Sequence, residues 1–377
     1  MAMAVTMEVG NDGVGVISIS NPPLNIINAA ILAALKEKFG EATRRRDVKA
    51  IVLTGKGGRF SGGFDINAFQ NPSVLKYASI NVGTTGDTSD RTIESIDLVL
   101  NTIEDCKKPV VAAIEGLALG GGLELAMGCH ARIAAPKTQL GLPELTLGVI
   151  PGLGGTQSLP RLVGVSKAIE MMLFSKPIMS EEGKLLGLID EIATSEELVR
   201  VSRLHALEIS DGRKPWVRSL HRTDKIGSLS EAQQLLRTAR EQAKRTAPNM
   251  PQHLACLDAV EEGLLHGGYK GLLKEAAVSK ELVQSNTTKA LTHLFFAQRA
   301  TAKVPNITDV GLKPNHVKKV GIIGGGIMGS GIATSLMLSN ITVFLKEINS
   351  EYLLKGMKTV EGGYYIDTLC APFVNIV

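Results

Sequence analysis

The sequence predicts an α/β protein in three successive parts, and three observations lead to this expectation. Short strand patterns alternate with helical patterns over residues 5–200. Glycine then becomes sparse and helical spacing prevails over residues 201–304. Residues 305–377 begin as a linker and continue as a strand, a glycine-rich turn, a helix and a second strand. We therefore expect an α/β domain, a helical connector and an incomplete βαβ fragment, with boundaries at these positions.

The composition excludes several classes of protein. Hydrophobic residues make up 44% of the chain and charged residues 21%, as in ordinary globular proteins. No stretch of about 18 residues lacks both charge and glycine, so we expect no membrane span. The net charge of +4 does not favour nucleic acid as a partner, and the 16 Lys and Arg against 10 Asp and Glu in residues 201–304 suit solvated helix faces. Four widely spaced cysteines predict reduced thiols and no metal site.

Local signals predict the elements of the first part. Val14–Ser20 alternates in polarity and stops at an Asn-Pro-Pro turn. Asn28 can cap a helix that ends in three consecutive arginines, where cations suit the helix dipole. Ala50–Leu53 and Val110–Ile114 have the pattern of short buried strands. The polar residues 71–98 predict a mobile loop or lid.

The first motif with chemical potential is the glycine-rich run of residues 55–66, directly after a predicted strand. Glycine pairs at a strand end allow a backbone N–H group to approach a ligand closely, because no Cβ intervenes. Gly62 lies in the middle of this run. Taken alone, the run is equally well explained as a glycine-rich turn.

The second motif covers residues 115–129, where three glycines precede a short helix. Free N–H groups and the positive end of the helix dipole then face the same spot, as in an oxyanion hole. Gly121 lies in this triplet. Glu124 follows in the first turn among apolar neighbours, and it is either a helix-stabilising acid or a catalytic group.

The third motif covers residues 140–156, in which Glu144 is the only ionisable side chain between Lys137 and Arg161. A proline precedes Glu144 and leucines flank it, so burial should raise its pKa toward the range of acid–base catalysis. The alternative is a loop glutamate that faces solvent, which the apolar neighbours disfavour.

In this order, the three motifs resemble the enoyl-CoA hydratase/isomerase (crotonase) family over residues 5 to about 200. The resemblance implies a spiral of repeated β–β–α units. It also implies that two backbone N–H groups polarise the thioester carbonyl of an acyl-CoA, and these fall on Gly62 and Gly121. The two catalytic carboxylates of the family fall on Glu124 and Glu144.

The resemblance implies hydration of a trans-2-enoyl-CoA, which needs no cofactor. Glu124 would deprotonate a water for attack at Cβ, while protonated Glu144 would deliver a proton to Cα. Family members that only move double bonds typically keep the second carboxylate alone. Two carboxylates therefore favour a hydratase, with isomerisation as a side activity.

The third part carries a dinucleotide-binding fingerprint between two predicted strands. Gly324, Gly326 and Gly329 fit the pattern G-x-G-x-x-G, and Glu347 lies 21 residues after Gly326, where a ribose-binding acid belongs. This setting predicts a Rossmann-type NAD site. It resembles the start of an L-3-hydroxyacyl-CoA dehydrogenase.

The order of the three parts resembles the multifunctional proteins of fatty-acid β-oxidation in their plant peroxisomal form. The resemblance implies a peroxisomal location, although the C-terminus carries no S-K-L-type signal, and otherwise a cytoplasmic one. Residues 361–377 do not continue the family pattern, so we expect an incomplete NAD site and no dehydrogenase activity. Two alternatives remain: a full bifunctional hydratase and dehydrogenase, or a non-catalytic CoA- or RNA-binding protein that uses the basic helices. Acyl-chain preference and oligomeric state do not follow from the sequence.

Overall fold

The fold of the chain was taken from a computed structural model. It describes residues 3–67, 102–308, 310, 311 and 315–367, the last five without their side chains. The loop or lid predicted at residues 71–98 lies outside these residues. The chain divides into two compact units, Met1–Gln298 and Arg299–Val377.

A six-stranded sheet forms the centre of the first unit. Its strands are β1 (Ala4–Val9), β2 (Val14–Ser20), β3 (Ala50–Gly55), β4 (Val110–Ile114), β6 (Ala131–Ala134) and β9 (Glu191–Ile192). They lie in the order β1-β2-β3-β4-β6-β9, with β1 antiparallel to β2 and all other pairs parallel. The inner strands are buried on both faces, which explains their continuous runs of Val, Ile and Ala. The predicted strands are confirmed, and β3 continues two residues further than predicted.

Helix α1 (Ala29–Arg44) forms where the capping signal predicted it. The Asn28 side chain accepts a hydrogen bond from the N–H group of Ile31 at 3.0 Å, which satisfies one free donor of the helix start. The buried stripe of the helix consists of Ile31, Leu35, Phe39 and Ala42. Arg44 lies in the last turn, where its charge suits the helix dipole.

A smaller sheet brings the three glycine-rich motifs together. It contains β5 (Leu117–Leu119), β7 (Gln139–Gly141) and β8 (Ile178–Met179), with β5 parallel to β7 and β7 antiparallel to β8. The second motif supplies β5 and the following helix α2 (Gly121–Gly128), and the third motif begins in β7. The first motif joins them through a parallel bridge between Ser61 and Ala118.

In the described part of the chain, eight further helices follow α2 up to Thr301. They are α3 (Gly155–Val163), α4 (Val165–Phe174), α5 (Ser180–Leu186), α6 (Leu198–Ser210), α7 (Leu229–Thr246), α8 (Pro251–His266), α9 (Gly268–Gln284) and α10 (Asn286–Thr301). Short 3₁₀ helices lie at Glu144–Leu147 and Ser219–His221. The helical spacing predicted over residues 201–304 is confirmed, for example by α7 and α9.

The helical segment 201–304 lies almost wholly in the first unit rather than forming a compact unit of its own. Leu236 of α7, Val260 of α8 and Leu282 of α9 belong to the same buried cluster as Ile17 of β2 and Leu125 of α2. Each of these helices has one apolar stripe, and it is buried against the sheet-bearing part. The division into compact units falls after residue 298.

The second unit contains one βαβ motif and a further helix. Its elements are β10 (Lys319–Ile323), α11 (Ile327–Leu338), β11 (Thr342–Lys346) and α12 (Ser350–Asp367), and the two strands are parallel. A small core forms around Ile322 and Val343. Ile323 and Ile348 are 89% and 84% exposed. Within the described residues of either unit, no helix is long and apolar enough to cross a membrane.

Candidate active site

Helix α2 holds Glu124 in the interior of the first unit. Gly120, at φ +53°, ends β5 and lets the chain turn directly into the helix. Every residue of α2 is buried, including Glu124 at 1% exposure. Only a carboxylate with strong hydrogen-bond partners is tolerated at such a position.

Glu124 finds these partners on the loop that leads into α3. Its Oε1 atom accepts hydrogen bonds from the N–H groups of Leu153 at 2.7 Å and Gly155 at 2.8 Å. Gly155 must be glycine here, because an added Cβ would lie 2.8 Å from this same oxygen. The other oxygen, Oε2, is buried and has no hydrogen-bond partner among the described residues. One oxygen of Glu124 is therefore anchored, and the other remains available for chemistry.

Glu144 begins the 3₁₀ helix that follows β7 and faces the start of α2. A Cβ added to Gly120 would lie 2.8 Å from the Oε1 atom of Glu144, so glycine at 120 makes room for this carboxylate. The residue as a whole is half-buried, but its Oε2 atom is buried and lacks a hydrogen-bond partner within the described part of the chain. Glu144 thus lies beside the start of α2, the helix that carries Glu124, and the charge of Glu124 acts on it.

Burial raises the pKa values of both carboxyl groups, and repulsion by neighbouring carboxylates adds to the shift of Glu144. Burial raises the pKa of Glu124 to about 7, against the stabilising amides of Leu153 and Gly155. Burial also raises the pKa of Glu144 well above its ordinary value, and the neighbouring Glu124 and Glu275 add to the shift. Glu124 has amide donors that favour its ionised form, whereas Glu144 has two carboxylate neighbours that oppose ionisation. Glu144 therefore holds its proton more readily than Glu124 does.

The structure corrects the prediction for Gly62. The N–H group of Gly62 donates to the carbonyl oxygen of Leu24 at 2.7 Å, so it is not free to polarise a substrate carbonyl. The N–H group of Gly63 is likewise engaged with Ser61 Oγ at 3.1 Å. The glycine pair supplies close packing instead, since a Cβ on Gly63 would lie 2.7 Å from the carbonyl oxygen of Leu119.

The N–H group of the next residue, Phe64, has no acceptor among the described residues. Ile27 donates its N–H to the carbonyl oxygen of Gly63 at 2.8 Å. In a trans peptide the C=O and the following N–H point in opposite directions, so the Phe64 N–H points away from Ile27. Sequence reasoning missed Phe64, because only the pairing of its neighbours reveals which amide is free.

Gly121 provides a second free amide beside Phe64. It is the first residue of α2, and its N–H group has no acceptor among the described residues, as expected at a helix start. A Cβ on Gly63 would lie 3.4 Å from the Gly121 nitrogen, and a Cβ on Gly121 would lie 2.6 Å from Cε2 of Phe64. The two loops are thus in direct contact, and the role of Gly121 as an oxyanion donor stays a prediction.

Sequence reasoning also missed a third buried carboxylate, Glu275 of α9, which is fully buried. Burial raises the pKa of Glu275 to about 8, and the charge of Glu124 adds to the shift. Glu275 lies four residues after Gly271 and four before Ser279, both on the buried stripe of α9. Helical spacing could therefore have placed it in the interior. The described residues contain no group of three or more His, Cys, Asp or Glu arranged to hold a metal ion.

The NAD fingerprint lies in the second unit. Gly324 adopts φ +95°, and a Cβ on Gly329 would lie 1.8 Å from the carbonyl oxygen of Gly324, so both positions need glycine. Glu347 follows β11, and its Oε1 atom accepts a hydrogen bond from the N–H group of Gly325. A Cβ on Gly326 would meet open space. The glycine loop and the acidic residue therefore meet as the fingerprint predicts, in a unit whose described part contains two strands.

Comparison with known proteins decides the family. The family model described as enoyl-CoA hydratase/isomerase matches residues 9–225. The chain belongs to the enoyl-CoA hydratase/isomerase family. A second family model, described as 3-hydroxyacyl-CoA dehydrogenase, NAD binding domain, matches residues 319–368. Both resemblances drawn from the motifs are confirmed.

The relatives of this hydratase/isomerase family member include multifunctional proteins. The peroxisomal fatty acid beta-oxidation multifunctional protein AIM1 of Arabidopsis thaliana is 65% identical over 359 residues, which cover 95% of this chain and 48% of that protein. The peroxisomal bifunctional enzyme of Homo sapiens is 34% identical over 353 residues, which cover 93% of this chain and 46% of that protein. The chain spans about half the length of the curated relatives it matches.

Solved structures confirm the predicted fold class. An enoyl-CoA hydratase/isomerase from Pseudoalteromonas atlantica T6c aligns with a TM-score of 0.54 at 20% identity, covering 81% of this chain and 99% of that chain. An enoyl-CoA hydratase from Mycobacterium avium subsp. paratuberculosis K-10 aligns with a TM-score of 0.53 at 21% identity, with the same coverage. At these identities the likeness establishes the fold alone.

Proposed function

We propose that this chain hydrates trans-2-enoyl-CoA thioesters to 3-hydroxyacyl-CoA, with double-bond isomerisation as a side activity. The observation that carries the proposal is a pair of buried carboxylate oxygens, Oε2 of Glu124 and Oε2 of Glu144, near the backbone amides of Phe64 and Gly121. None of these four groups has a hydrogen-bond partner among the described residues. Membership of the enoyl-CoA hydratase/isomerase family supports the same reaction class. An acyl-CoA thioester is accordingly the substrate.

The amides of Phe64 and Gly121 act first, by accepting the thioester carbonyl oxygen between them. Two N–H donors on one oxygen draw electron density from the conjugated system, which makes Cβ electrophilic. The same donors stabilise the enolate that forms after attack, in a site where donors are fixed before the reaction begins. The start of α2 adds the positive end of its dipole at Gly121.

The two carboxyl groups then direct the addition of a hydroxyl group to Cβ and of a proton to Cα. The amides of Leu153 and Gly155 hold Glu124 as a carboxylate. Glu124 takes a proton from a water molecule while the oxygen of that water bonds to Cβ. Protonated Glu144 delivers its proton to Cα of the enolate. The raised pKa values of both groups suit this exchange near neutral pH.

The decisive measurement is the loss of conjugated enoyl-thioester absorbance with purified protein. Glu124→Gln and Glu144→Gln should each lower kcat by at least about 10²-fold, the usual scale for an acid–base group, with little change in substrate binding. Glu104→Gln is a matched control, because Glu104 is also buried and also accepts a backbone hydrogen bond, from Leu220 at 2.7 Å. Wild-type turnover in a folded Glu124 or Glu144 variant would remove that residue from the mechanism.

Ion pairs disfavour the alternative of an RNA-binding role for the basic segment 201–304. Arg240 contacts both Asp258 and Glu261 at 2.6 and 2.7 Å, and Arg222 contacts Asp224 at 2.6 Å. Cations that are paired in this way contribute less to a free positive surface.

We further propose a peroxisomal location, which the names of the relatives support.

A further inference from the structure

Four consecutive amides at the start of α3 are shared between two carboxylates. Leu153 and Gly155 donate to Glu124, as described above. Gly154 donates to Oε1 of Glu275 at 2.7 Å, and Thr156 donates to Oε2 of Glu275 at 3.0 Å. The hydroxyl group of Thr156 adds a further hydrogen bond to the same oxygen at 2.5 Å. The N–H groups thus alternate along the chain between Glu124 on one side and Glu275 on the other.

The surroundings of Glu275 are built around these contacts. Thr156 Oγ1 also accepts a hydrogen bond from Gln157 Nε2 at 2.8 Å, and the same nitrogen donates to the carbonyl oxygen of Ala259 on α8. A Cβ on Gly263 or on Gly271 would lie 1.6 or 2.1 Å from Gln157 Oε1. Two glycines, one each on α8 and α9, therefore admit the Gln157 side chain. Such a polar network in the interior is costly unless every member is satisfied.

We propose that Glu275 is a positioning residue for hydration. It fixes the loop that holds the base Glu124, and it adds a second negative charge near the acid Glu144. The proposal rests on the proposed function. Both carboxylate oxygens of Glu275 accept hydrogen bonds, one from Gly154 and the other from Thr156. It acts through the amides of residues 153–156, which would otherwise be free to turn away from Glu124.

The charge of Glu275 adds an effect that a purely structural residue would lack. A negative neighbour makes ionisation of Glu144 less favourable, so Glu275 helps Glu144 to keep its proton. The pKa of Glu275 is itself raised, so its charge is present mainly on the alkaline side. The other titratable groups near it are Glu124 on α2 and Cys256 on α8, while Arg161 of α3 is held by Gln157 and Gly263.

The test is the pH profile of kcat for Glu275→Gln. We expect kcat to fall about tenfold with little change in KM, and the alkaline limb, where Glu144 loses its proton, to move to lower pH. Glu275→Asp keeps the charge but shortens the reach, so it should lower kcat while the alkaline limb returns toward its wild-type position. Glu104→Gln should change neither kcat nor the limb. Wild-type kcat and an unmoved limb in folded Glu275→Gln would overturn the proposal.

Thr156→Val provides a second test should Glu275→Gln fail to fold. It removes the hydroxyl donor, which favours the charged form of Glu275, and keeps the shape of the side chain. The alkaline limb should again move to lower pH, by less, and a folded Thr156→Val protein with an unmoved limb would count against the proposal.

An NMR titration of the Glu144 carboxyl carbon separates this proposal from the proposed function. Its midpoint should be lower in Glu275→Gln than in the wild type, whether or not the protein turns over enoyl-CoA. An inactive wild type with the expected shift would reject hydration and support the influence of Glu275 on Glu144. An unchanged midpoint would reject that influence even in an active enzyme.

Discussion

A single methyl group at Gly121 should disable the oxyanion site. In Gly121→Ala the new Cβ would lie 2.6 Å from Cε2, 2.7 Å from Cδ2 and 3.2 Å from Cζ of Phe64. Carbon atoms prefer separations of about 3.5 to 4.0 Å, so the ring and the methyl group must separate by about 1 Å. Phe64 carries one of the two proposed amide donors and Gly121 carries the other. The strain therefore acts on both donors at once.

The expected loss follows from this displacement. A misplacement of about 1 Å in a catalytic arrangement can cost about 10²-fold in rate, and removal of one oxyanion donor costs about 10² to 10³. We expect kcat of Gly121→Ala to fall about 10²-fold, which corresponds to about 2.7 kcal/mol of transition-state stabilisation. The KM should change less, because the donors interact most strongly with the enolate-like transition state.

The assay follows the absorbance of the conjugated thioester, with the folded state checked by circular dichroism. Gly40→Ala in α1 is the control, since the nearest atom to its added Cβ is the flexible end of Arg44 at 3.2 Å. It should keep wild-type kcat. The double variant Phe64→Ala/Gly121→Ala should recover activity toward that of Phe64→Ala alone, because all three close contacts belong to the Phe64 ring.

Two results would refute this reasoning. A folded Gly121→Ala protein with wild-type kcat would show that the thioester oxygen does not lie at these amides. A double variant no more active than Gly121→Ala, when Phe64→Ala alone is active, would show that the damage does not arise from the ring contact.

Two further predictions concern the rest of the chain. Burial raises the pKa of Glu104 to about 7, so its ionisation destabilises the folded state as the pH rises from about 4.5, the pKa in the unfolded chain, to about 7. Glu104→Gln removes this titration, so the variant should become more stable than the wild type over that pH range, by at most about 3 kcal/mol. Urea unfolding at several pH values measures the difference. The purified 377-residue chain should produce no NADH from 3-hydroxyacyl-CoA and should bind NAD with a Kd no lower than about millimolar. The reason is that the described part of its dinucleotide unit has a sheet of two strands. Steady NADH formation would contradict this prediction.

Much of the fold could be predicted because its signals are local. Asn28 and the apolar spacing after it predicted α1, and the run of β4 matched the structure at both ends. The helices of residues 201–304 could be predicted for the same reason. What they pack against could not, since an apolar stripe such as that of Leu236 in α7 shows that a face is buried but not which element covers it.

In the candidate site, too, features of the local sequence could be predicted, whereas contacts between residues distant in the chain could not. The carboxylates Glu124 and Glu144 could be predicted, because a charged residue within an apolar run is visible in the sequence itself. Glu275 could be suspected of burial from its spacing on α9, but its partners Gly154 and Thr156 lie 121 and 119 residues earlier in the chain. Only the folded structure shows that this carboxylate and Glu124 bind alternate amides of one loop.

The free amide was the hardest feature to predict, and the reason is geometrical. Every residue from Ser61 to Asp65 has an N–H group, and glycine marks only where the backbone can come close to something else. Which amide is free depends on which carbonyls its neighbours meet: Leu24 takes the N–H of Gly62, whereas Ile27 takes the carbonyl of Gly63 and so turns the Phe64 N–H outward. The glycine pair in this motif therefore marks where two loops approach each other, and the proposed donor is the residue after it.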